Sequence, residues 1–311
     1  MPPNLHALLV VVLALALDLA VGDPPSRLHP VAWIGRVLAA GRRALCRGRP
    51  AALMLSGAAL TLFVMALAAG AGAAVASVAH GLGAAGFVLE GMALKLAVSP
   101  GGLARAARSV ASALSRGELD TGRARLGLHL VSRPTASLDA GEVASGAIES
   151  VAENLTDALV APIACFLVLG LPGAFAYRAL NTADTMLGYR EGALEYFGKF
   201  AARLDDVANL LPARLAALAL VVAAGRRAPA AWAIMLRDRR RTASPNAGWT
   251  MSAMAGALGV TLVKPGAYRL GKGSPPDAVD IERGIRLMAR AAILAVLVTL
   301  ALAISIRSSI V

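Results

Sequence analysis

Long apolar runs alternate with segments that hold most of the charged residues along this chain of 311 residues. The clearest apolar runs cover residues 5–22, 53–76 and 289–306. A helix needs about 20 consecutive apolar residues to cross the ~30 Å hydrocarbon core of a bilayer. Each of these runs therefore predicts a membrane-spanning helix.

Weaker apolar runs, interrupted by charges or prolines, cover residues 78–97, 158–177 and 207–224. Proline lacks a backbone N–H and breaks or caps helices. Because the last two runs contain Pro162, Pro172 and Pro212, we expect them either to cross the membrane or to re-enter it. The pattern as a whole predicts an all-α, polytopic integral membrane protein with about four to six membrane-embedded helices.

Most charges lie outside the runs, in residues 23–50, 98–157, 178–206 and 225–288. These segments contain six, six, four and eleven Lys and Arg residues, in that order. Cytoplasmic loops carry an excess of Lys and Arg, which places the first, second and fourth segments in the cytoplasm. The third is more acidic, and its side depends on whether its flanking runs cross fully. We treat residues 1–311 as one integral membrane domain of the inner (cytoplasmic) membrane, with helical cytoplasmic loops.

One of these segments has a helical pattern of its own. Residues 103–131 carry apolar or alanine positions at spacings of three and four, as amphipathic helices do. A stop at Gly117 and a restart after Asp120 predict a helix, a turn and a second helix.

Composition excludes several classes of protein. The mean hydropathy is +0.65 and only 16% of residues are charged, far from an average soluble domain. The net charge of +12 is spread through the loops, as the positive-inside bias requires, so we expect no nucleic-acid partner. Cys46 and Cys165 form neither a disulfide framework nor a CxxC motif, and the four histidines are too scattered for a local metal motif.

A row of acidic residues stands immediately before the run at 158–177, in "IESVAENLTD". Glu149, Glu153 and Asp157 are four residues apart, which on an α-helix places them along one face. Mg²⁺ commonly takes one or two carboxylates together with phosphate oxygens and water. The row, with Asn154 beside it, therefore suggests a magnesium site, and the alternative is a solvated helix face or pairing with arginine.

A second polar cluster occupies "YRALNTADTMLGYREGALEYFGKFAARLDDVANLLPARL". Charged groups beside membrane segments are energetically expensive unless they are paired or functional. Interhelical salt bridges would explain part of this cluster. Its candidate functional residues are Asn181, Asp184, Tyr189, Arg190, Lys199, Arg203, Asp205, Asp206 and Arg214.

Three smaller features bear on chemistry. In "RRRTASPNAGWT", Ser244 and Asn246 open a predicted helix, where free backbone N–H groups bind phosphate or an ordinary cap forms. Asp18, inside an apolar run, is either functional or interfacial. "GAYRLGKGS" has the skeleton of a phosphate-binding Walker loop, but Gly273 replaces the Ser or Thr that binds Mg²⁺ and "SPPD" follows, so we do not interpret it as one.

Five blocks together resemble one family. They are "DLAVGDPPSRLHPVAWIGR", "AIESVAENLTDALVAPI", "YRALNTADTMLGYR", "FGKFAARLDDVANLLPARL" and "SPNAGWTMSAMAGALGV". In this order and spacing they are similar to the adenosylcobinamide-phosphate synthases, integral membrane enzymes of cobalamin biosynthesis. Two departures from the family pattern are Pro134, where an acidic residue is expected, and a looser glycine-rich segment at "LVKPGAYRLGKG".

The resemblance implies an ATP- and Mg²⁺-dependent ligase that joins adenosylcobyric acid to aminopropanol, usually as its O-phosphate, through an amide bond. Ethanolamine phosphate is an alternative amine. The expected partners are this corrinoid, the amino alcohol phosphate and the lipid bilayer, and the resemblance allows association with other cobalamin-biosynthesis enzymes. A transporter or channel and a non-enzymatic signalling relative are the alternatives in other classes.

Residue chemistry then suggests the roles within such a ligase. The proposed catalytic residues are Glu149, Glu153, Asp184 and Asp205, and the proposed metal ligands are Glu149, Glu153, Asp157 and Asp206. Substrate or phosphate binding is assigned to Asn154, Asn181, Tyr189, Arg190, Lys199, Arg203, Arg214, Ser244 and Asn246. Arginine suits this last role because its guanidinium binds phosphate through two parallel hydrogen bonds.

Overall fold

A computed structural model describes residues 3–25, 27 and 29–310. Nearly all regular structure in this part of the chain is helical. The helices are α1 Pro3–Val21, α2 Pro30–Leu45, α3 Pro50–His80, α4 Gly83–Lys95, α5 Pro100–Ser115, α6 Leu119–His129, α7 Ala140–Leu155, α8 Ala161–Leu187, α9 Leu194–Phe197, α10 Lys199–Ala208, α11 Leu210–Ala223, α12 Ala228–Asp238, α13 Ala247–Leu258 and α14 Ala278–Ile310. The strands are β1 Thr261–Lys264 and β2 Tyr268–Gly271.

The helices form two compact units. Unit 1 contains the residues up to Ser99, Ala161–Asn209 and the residues from Leu300 onward. Unit 2 contains Pro100–Val160 and Leu210–Thr299. Each unit has its own buried core, and each contains a different part of the polar residues singled out in the sequence. The treatment of residues 1–311 as one membrane domain stays a prediction.

Three helical stretches are long and apolar enough to cross a membrane: Pro50–His80, Ala140–Leu187 and Ala278–Leu302. The number rises to five if two bent helix pairs each form one span. These pairs are α4 with α5, bent by 40°, and α10 with α11, bent by 50°. The all-α polytopic membrane fold is confirmed.

Two runs differ in detail from the sequence-based expectation. The apolar stretch Leu5–Val21 of α1 is shorter than the three long stretches, so a full crossing by this run stays a prediction. The helical stretch Ala140–Leu187 continues past Pro162, which closely follows the π-helix at Thr156–Val160. The backbone instead kinks at Gly170, whose φ of 67° is non-helical, two residues before Pro172.

The predicted turn at Gly117 is confirmed. Helix α5 ends at Ser115 and α6 begins at Leu119, while Gly117 has a φ of 75°. Glycine adopts this left-handed conformation without the steric penalty that a Cβ imposes. The second helix begins one residue before Asp120 rather than after it.

The segment with the Walker skeleton is a β-hairpin. Strands β1 and β2 pair antiparallel, and α14 begins only at Ala278. Asp238, fully buried at the end of α12, anchors this hairpin: its Oδ2 accepts a 2.8 Å hydrogen bond from the amide of Gly271 and a 2.6 Å bond from Arg237 Nη2. This geometry differs from a Walker loop, in which a helix begins directly after the glycine-rich loop.

Asp238 is expected to stabilise unit 2 in a pH-dependent way. Burial raises its pKa, but hydrogen bonds from Arg237 and the Gly271 amide outweigh this effect and hold the pKa below its usual range. A carboxyl whose pKa is depressed by folding stabilises the protein above its unfolded pKa of about 4 and loses this contribution as the pH falls further. We expect Asp238→Asn to lower the free energy of unfolding by about 1–3 kcal/mol at pH 7, with the difference shrinking toward pH 3.

The measurement is thermal unfolding in detergent between pH 3 and pH 8. Asp120→Asn is the matched control, because the Asp120 side chain is 94% exposed and pairs only with Arg123 on its own helix. An Asp238→Asn variant as stable as the control at pH 7 would contradict this role.

Candidate functional site

A pocket lined mainly by polar residues lies in unit 1, between the end of α8 and helices α9 and α10. We call it the basic pocket. Its volume is about 210 Å³. It is lined by Gly188, Tyr189, Arg190, Leu194, Glu195, Gly198, Lys199, Ala202, Arg203 and Asp206. Four predicted phosphate-binding residues, Tyr189, Arg190, Lys199 and Arg203, therefore share one pocket with the predicted metal ligand Asp206.

Two glycines allow the walls of this pocket to approach each other. A Cβ at Gly188 would overlap the carboxyl of Asp184, and a Cβ at Gly198 would overlap the carbonyl oxygen of Leu187. The end of α8 and the start of α10 therefore pack backbone against backbone. This contact brings Arg190, after α8, to the same pocket as Lys199, on α10.

The charges in the basic pocket are accessible to a ligand. Arg203 Nη1 lies 4.0 Å from Asp206 Oδ2, while the Arg203 side chain is 70% exposed. Arg190 also acts on Asp206 electrostatically. The pocket thus offers three cations, Arg190, Lys199 and Arg203, and two carboxylates, Glu195 and Asp206.

A buried polar network adjoins the acidic side of this pocket. Asp205 Oδ2 accepts a 2.8 Å hydrogen bond from Asn209 Nδ2, and Asn209 Oδ1 accepts a 2.9 Å bond from the Tyr177 hydroxyl. Asn181 also forms a side-chain hydrogen bond with Asp205. Asp184 and Asp206 are close enough to repel Asp205 electrostatically. The two predicted catalytic aspartates of unit 1 therefore lie together, next to the pocket residue Asp206.

Sequence reasoning missed Tyr177 as part of this network. Its hydroxyl donates to Asn209, 32 positions away, and no local sequence spacing predicts such a contact. The available signal was its position at the start of the block "YRALNT". Asn181, in the same block, is buried and accepts a 3.4 Å hydrogen bond from Arg178, and it does not line the basic pocket.

The acidic row lies in unit 2, and its first member is buried. Glu149 Oε2 lies 3.6 Å from Arg133 Nη2 and accepts a 3.3 Å hydrogen bond from the Tyr268 hydroxyl. Glu149 Oε1 has no hydrogen-bond partner among the described residues. Glu149 is therefore a buried carboxylate paired with arginine and not part of a solvated helix face.

Burial next to this carboxylate also affects Tyr268. Desolvation, together with the nearby charges of Glu149 and Glu153, raises the pKa of Tyr268 well above its usual value. The phenol is therefore protonated at neutral pH and acts as a hydrogen-bond donor to Glu149. Tyr268 lies in the glycine-rich segment that departs from the family pattern, which is why the sequence did not single it out.

The acidic row is not one continuous α-helix, because its last member, Asp157, lies in a π-helix. Helix α7 ends at Leu155, and Thr156–Val160 forms a π-helix. In a π-helix the hydrogen bonds run from i to i+5, which shifts side chains away from the α-helical register. Glu149 and Glu153 remain one turn apart. Asn154 Nδ2 donates to Ser150 within the same helix, at 3.0 Å from its carbonyl oxygen.

No group of three His, Cys, Asp or Glu side chains in the described residues could hold a metal ion. The four predicted ligands Glu149, Glu153, Asp157 and Asp206 are therefore not gathered into one preformed site. Mg²⁺ bound with a phosphate substrate needs only one or two protein carboxylates, so their assignment as metal ligands stays a prediction.

The remaining predicted phosphate-binding residues form a separate cluster in unit 2. Arg214 and Arg239 stack on Trp249, with guanidinium carbons 4.8 and 5.0 Å from the ring centre. Arg214 also donates to Asn246 Oδ1. Ser244 Oγ accepts hydrogen bonds from the amides of Asn246 and Ala247, so Ser244, and not Asn246, caps the start of α13.

Asp18 is completely buried in unit 1, and its Oδ1 lies 4.0 Å from Lys95 Nζ. Lys95 also donates a 2.6 Å hydrogen bond to Asp23. A hydrogen bond with His29, partly opposed by burial and reinforced by Lys95, holds the pKa of Asp23 well below its usual range. This network connects the segment after α1 to α4, and Asp18 is therefore a buried rather than an interfacial acid.

Comparison of the sequence with known proteins identifies the family of the chain. The sequence pattern of the family described as CobD/Cbib protein matches residues 11–299. The chain belongs to the CobD/Cbib family. Three relatives illustrate the likeness, and no solved structure matches the chain.

The relatives come from bacteria and an archaeon. The "Cobalamin biosynthesis protein CobD" of Dehalococcoides mccartyi is 42% identical over 86% of this chain and 87% of its own. The "Probable cobalamin biosynthesis protein CobD" of Methanothermobacter thermautotrophicus is 40% identical over 94% of this chain and 96% of its own. The "Cobalamin biosynthesis protein CobD" of Klebsiella pneumoniae is 39% identical over 90% and 92%.

Proposed function

We propose that this CobD/Cbib protein acts in cobalamin biosynthesis at the cytoplasmic membrane. In this proposal it forms the amide bond between adenosylcobyric acid and aminopropanol O-phosphate, giving adenosylcobinamide phosphate, with ATP as the activating substrate. The names of its relatives, which are cobalamin biosynthesis proteins, support the pathway. The observation that carries the reaction is the basic pocket beside a buried group of aspartates.

The charges of the basic pocket complement an amino alcohol phosphate. This substrate is a zwitterion that carries a phosphate at one end and an ammonium group at the other. Arg190, Lys199 and Arg203 supply cations for the phosphate, and Asp206 supplies a carboxylate for the ammonium group. The volume of about 210 Å³ is below the ~300–1,000 Å³ of pockets that enclose drug-sized ligands, which favours a small substrate over a whole nucleotide.

Amide formation also requires a base, because the ammonium group must lose a proton before its nitrogen attacks. Asp205 is the best candidate, since it lies beside the pocket residue Asp206 and its Oδ2 is fixed by the bond from Asn209. In the proposed step, the amine nitrogen bonds to the activated carboxyl carbon of the corrinoid. The phosphate or adenylate formed from ATP leaves, and the amine proton passes to Asp205.

Magnesium fits this site only as an ion shared with phosphate. Asp206 offers one carboxylate in the basic pocket, and water and phosphate oxygens would complete the coordination. When bound, the ion would neutralise negative charge on the phosphate that shares it.

The direct test is a reaction with the purified protein in detergent. Adenosylcobyric acid, Mg-ATP and aminopropanol O-phosphate should yield adenosylcobinamide phosphate, detected by mass spectrometry, and omission of ATP should abolish it. Parallel reactions with free aminopropanol and ethanolamine phosphate identify the preferred amine. If no amine yields a ligated corrinoid, the proposed reaction is wrong.

A further inference from the structure

An apolar slot in unit 1 lies apart from the residues of the proposed reaction. It is bounded by α2, α3, α4 and α8, and its volume is about 490 Å³. Its lining on α3 extends from Val64 to Val75, and a second wall extends from Leu89 on α4 to Ala97, just after this helix. Among its described lining residues, Arg178 on α8 is the one that carries a charge.

The slot is open to the surroundings. Leu67 and Trp33, both in its lining, are 56% and 47% exposed. Helix α3 is one of the three stretches that are long and apolar enough to cross a membrane. The open side of the slot therefore faces hydrocarbon, and lipid chains are the apolar molecules available there.

The length of the slot matches one leaflet of a bilayer. Eleven residues separate Val64 from Val75, which at 1.5 Å per residue is about 16 Å. Half of the ~30 Å hydrocarbon core is about 15 Å. One acyl chain of one leaflet would therefore fill the slot from end to end.

Arg178 lies at one end of the slot. Gly72 packs against the backbone of Leu171 and Pro172, whereas Val64 shares a buried cluster with Ala183 and Leu187. Helix α8 thus runs antiparallel to α3. Arg178 lies on α8 between Leu171 and Ala183. It is therefore level with the end of the slot near Val64.

We propose that this slot binds one phospholipid, with an acyl chain along α3 and the lipid phosphate on Arg178. Burial of each CH₂ group contributes about 0.8 kcal/mol to the binding of an acyl chain, so the slot supplies most of the affinity. The guanidinium fixes the orientation of the lipid, because its planar donors suit phosphate oxygens. Its bond to Asn181 Oδ1 fixes the arginine at that end.

The first test uses the unaltered protein. Lysophosphatidylglycerols with chains of 6 to 18 carbons are titrated, below their critical micelle concentrations, into delipidated protein, and bound lipid is counted by native mass spectrometry. Affinity should rise by up to about fourfold per added CH₂ and level off once the chain fills the slot. An affinity that is independent of chain length would overturn the proposal.

Substitutions in and beside the slot test where the lipid binds. Ala71→Phe places a ring in the slot and should reduce binding of one phospholipid at least tenfold, whereas Ala66→Phe, at an exposed alanine on the same helix outside the slot, should not. Arg178→Gln should remove the preference for a lysophospholipid over a monoacylglycerol of equal chain length. Equal binding by the two alanine variants would show that the lipid lies elsewhere. If the slot retains fatty acid or detergent as strongly as phospholipid, the phosphate contributes nothing to binding.

Discussion

Asp205→Asn is expected to lower kcat for amide formation by about a hundredfold or more, the usual range for loss of a general base. Asparagine has nearly the same shape and can still accept the bond from Asn209, but it cannot take the proton of the attacking amine. The KM for aminopropanol O-phosphate should change little, because the cations of the basic pocket remain. The measurement is steady-state formation of adenosylcobinamide phosphate by the purified variant.

A merely structural role for Asp205 predicts a different pattern. It would lower the melting temperature and the active fraction, leaving the kcat of the remaining active molecules unchanged in single-turnover reactions. Tyr177→Phe removes the hydroxyl that fixes Asn209 and should reduce kcat only severalfold, since Tyr177 acts through its neighbour. An Asp205→Asn variant within threefold of the natural chain would refute the base assignment.

Replacement of Arg190 by leucine together with Lys199 by methionine is expected to raise the KM for aminopropanol O-phosphate by about a hundredfold. Each lost charge-assisted hydrogen bond weakens binding by about 1.5 kcal/mol or slightly more, or roughly tenfold, and the exposure of both side chains keeps the effect near this lower limit. The KM for ATP and the rate with free aminopropanol, which has no phosphate, should stay unchanged.

Lys272→Met is the matched control, because it removes an exposed lysine of the hairpin in unit 2. The pattern of changes in KM decides what the pocket binds. A rise for ATP instead of for the amine would assign the pocket to nucleotide phosphates. No change for either substrate would remove the pocket from the reaction.

The sequence predicted well those features that depend on short distances along the chain. The apolar runs around Pro50–His80 and Ala278–Leu302 follow from length and hydropathy, and the turn at Gly117 follows from glycine and helical spacing. The basic pocket was also within reach, since all of its lining residues fall between Gly188 and Asp206.

Long-range residue pairs and local departures from α-helix could not be predicted from the sequence. Tyr268 lies 119 residues from Glu149, and no spacing rule connects them. The π-helix at Thr156–Val160 has no sequence signature that distinguishes it from the α-helix expected there. The sequence also grouped Arg214 with the cations of the basic pocket because they are neighbours in the chain, whereas its side chain binds Asn246 and stacks on Trp249 in unit 2.

The distance between Glu149 and Tyr268 also sets an order of events during synthesis. A ribosome adds about 5–20 residues per second, so at that rate the hydroxyl donor is made roughly 6–24 s after the buried carboxylate. Arg133, made earlier, is available from the start. Until the hairpin is complete, the nascent chain must therefore keep this acid hydrated or paired with Arg133 alone.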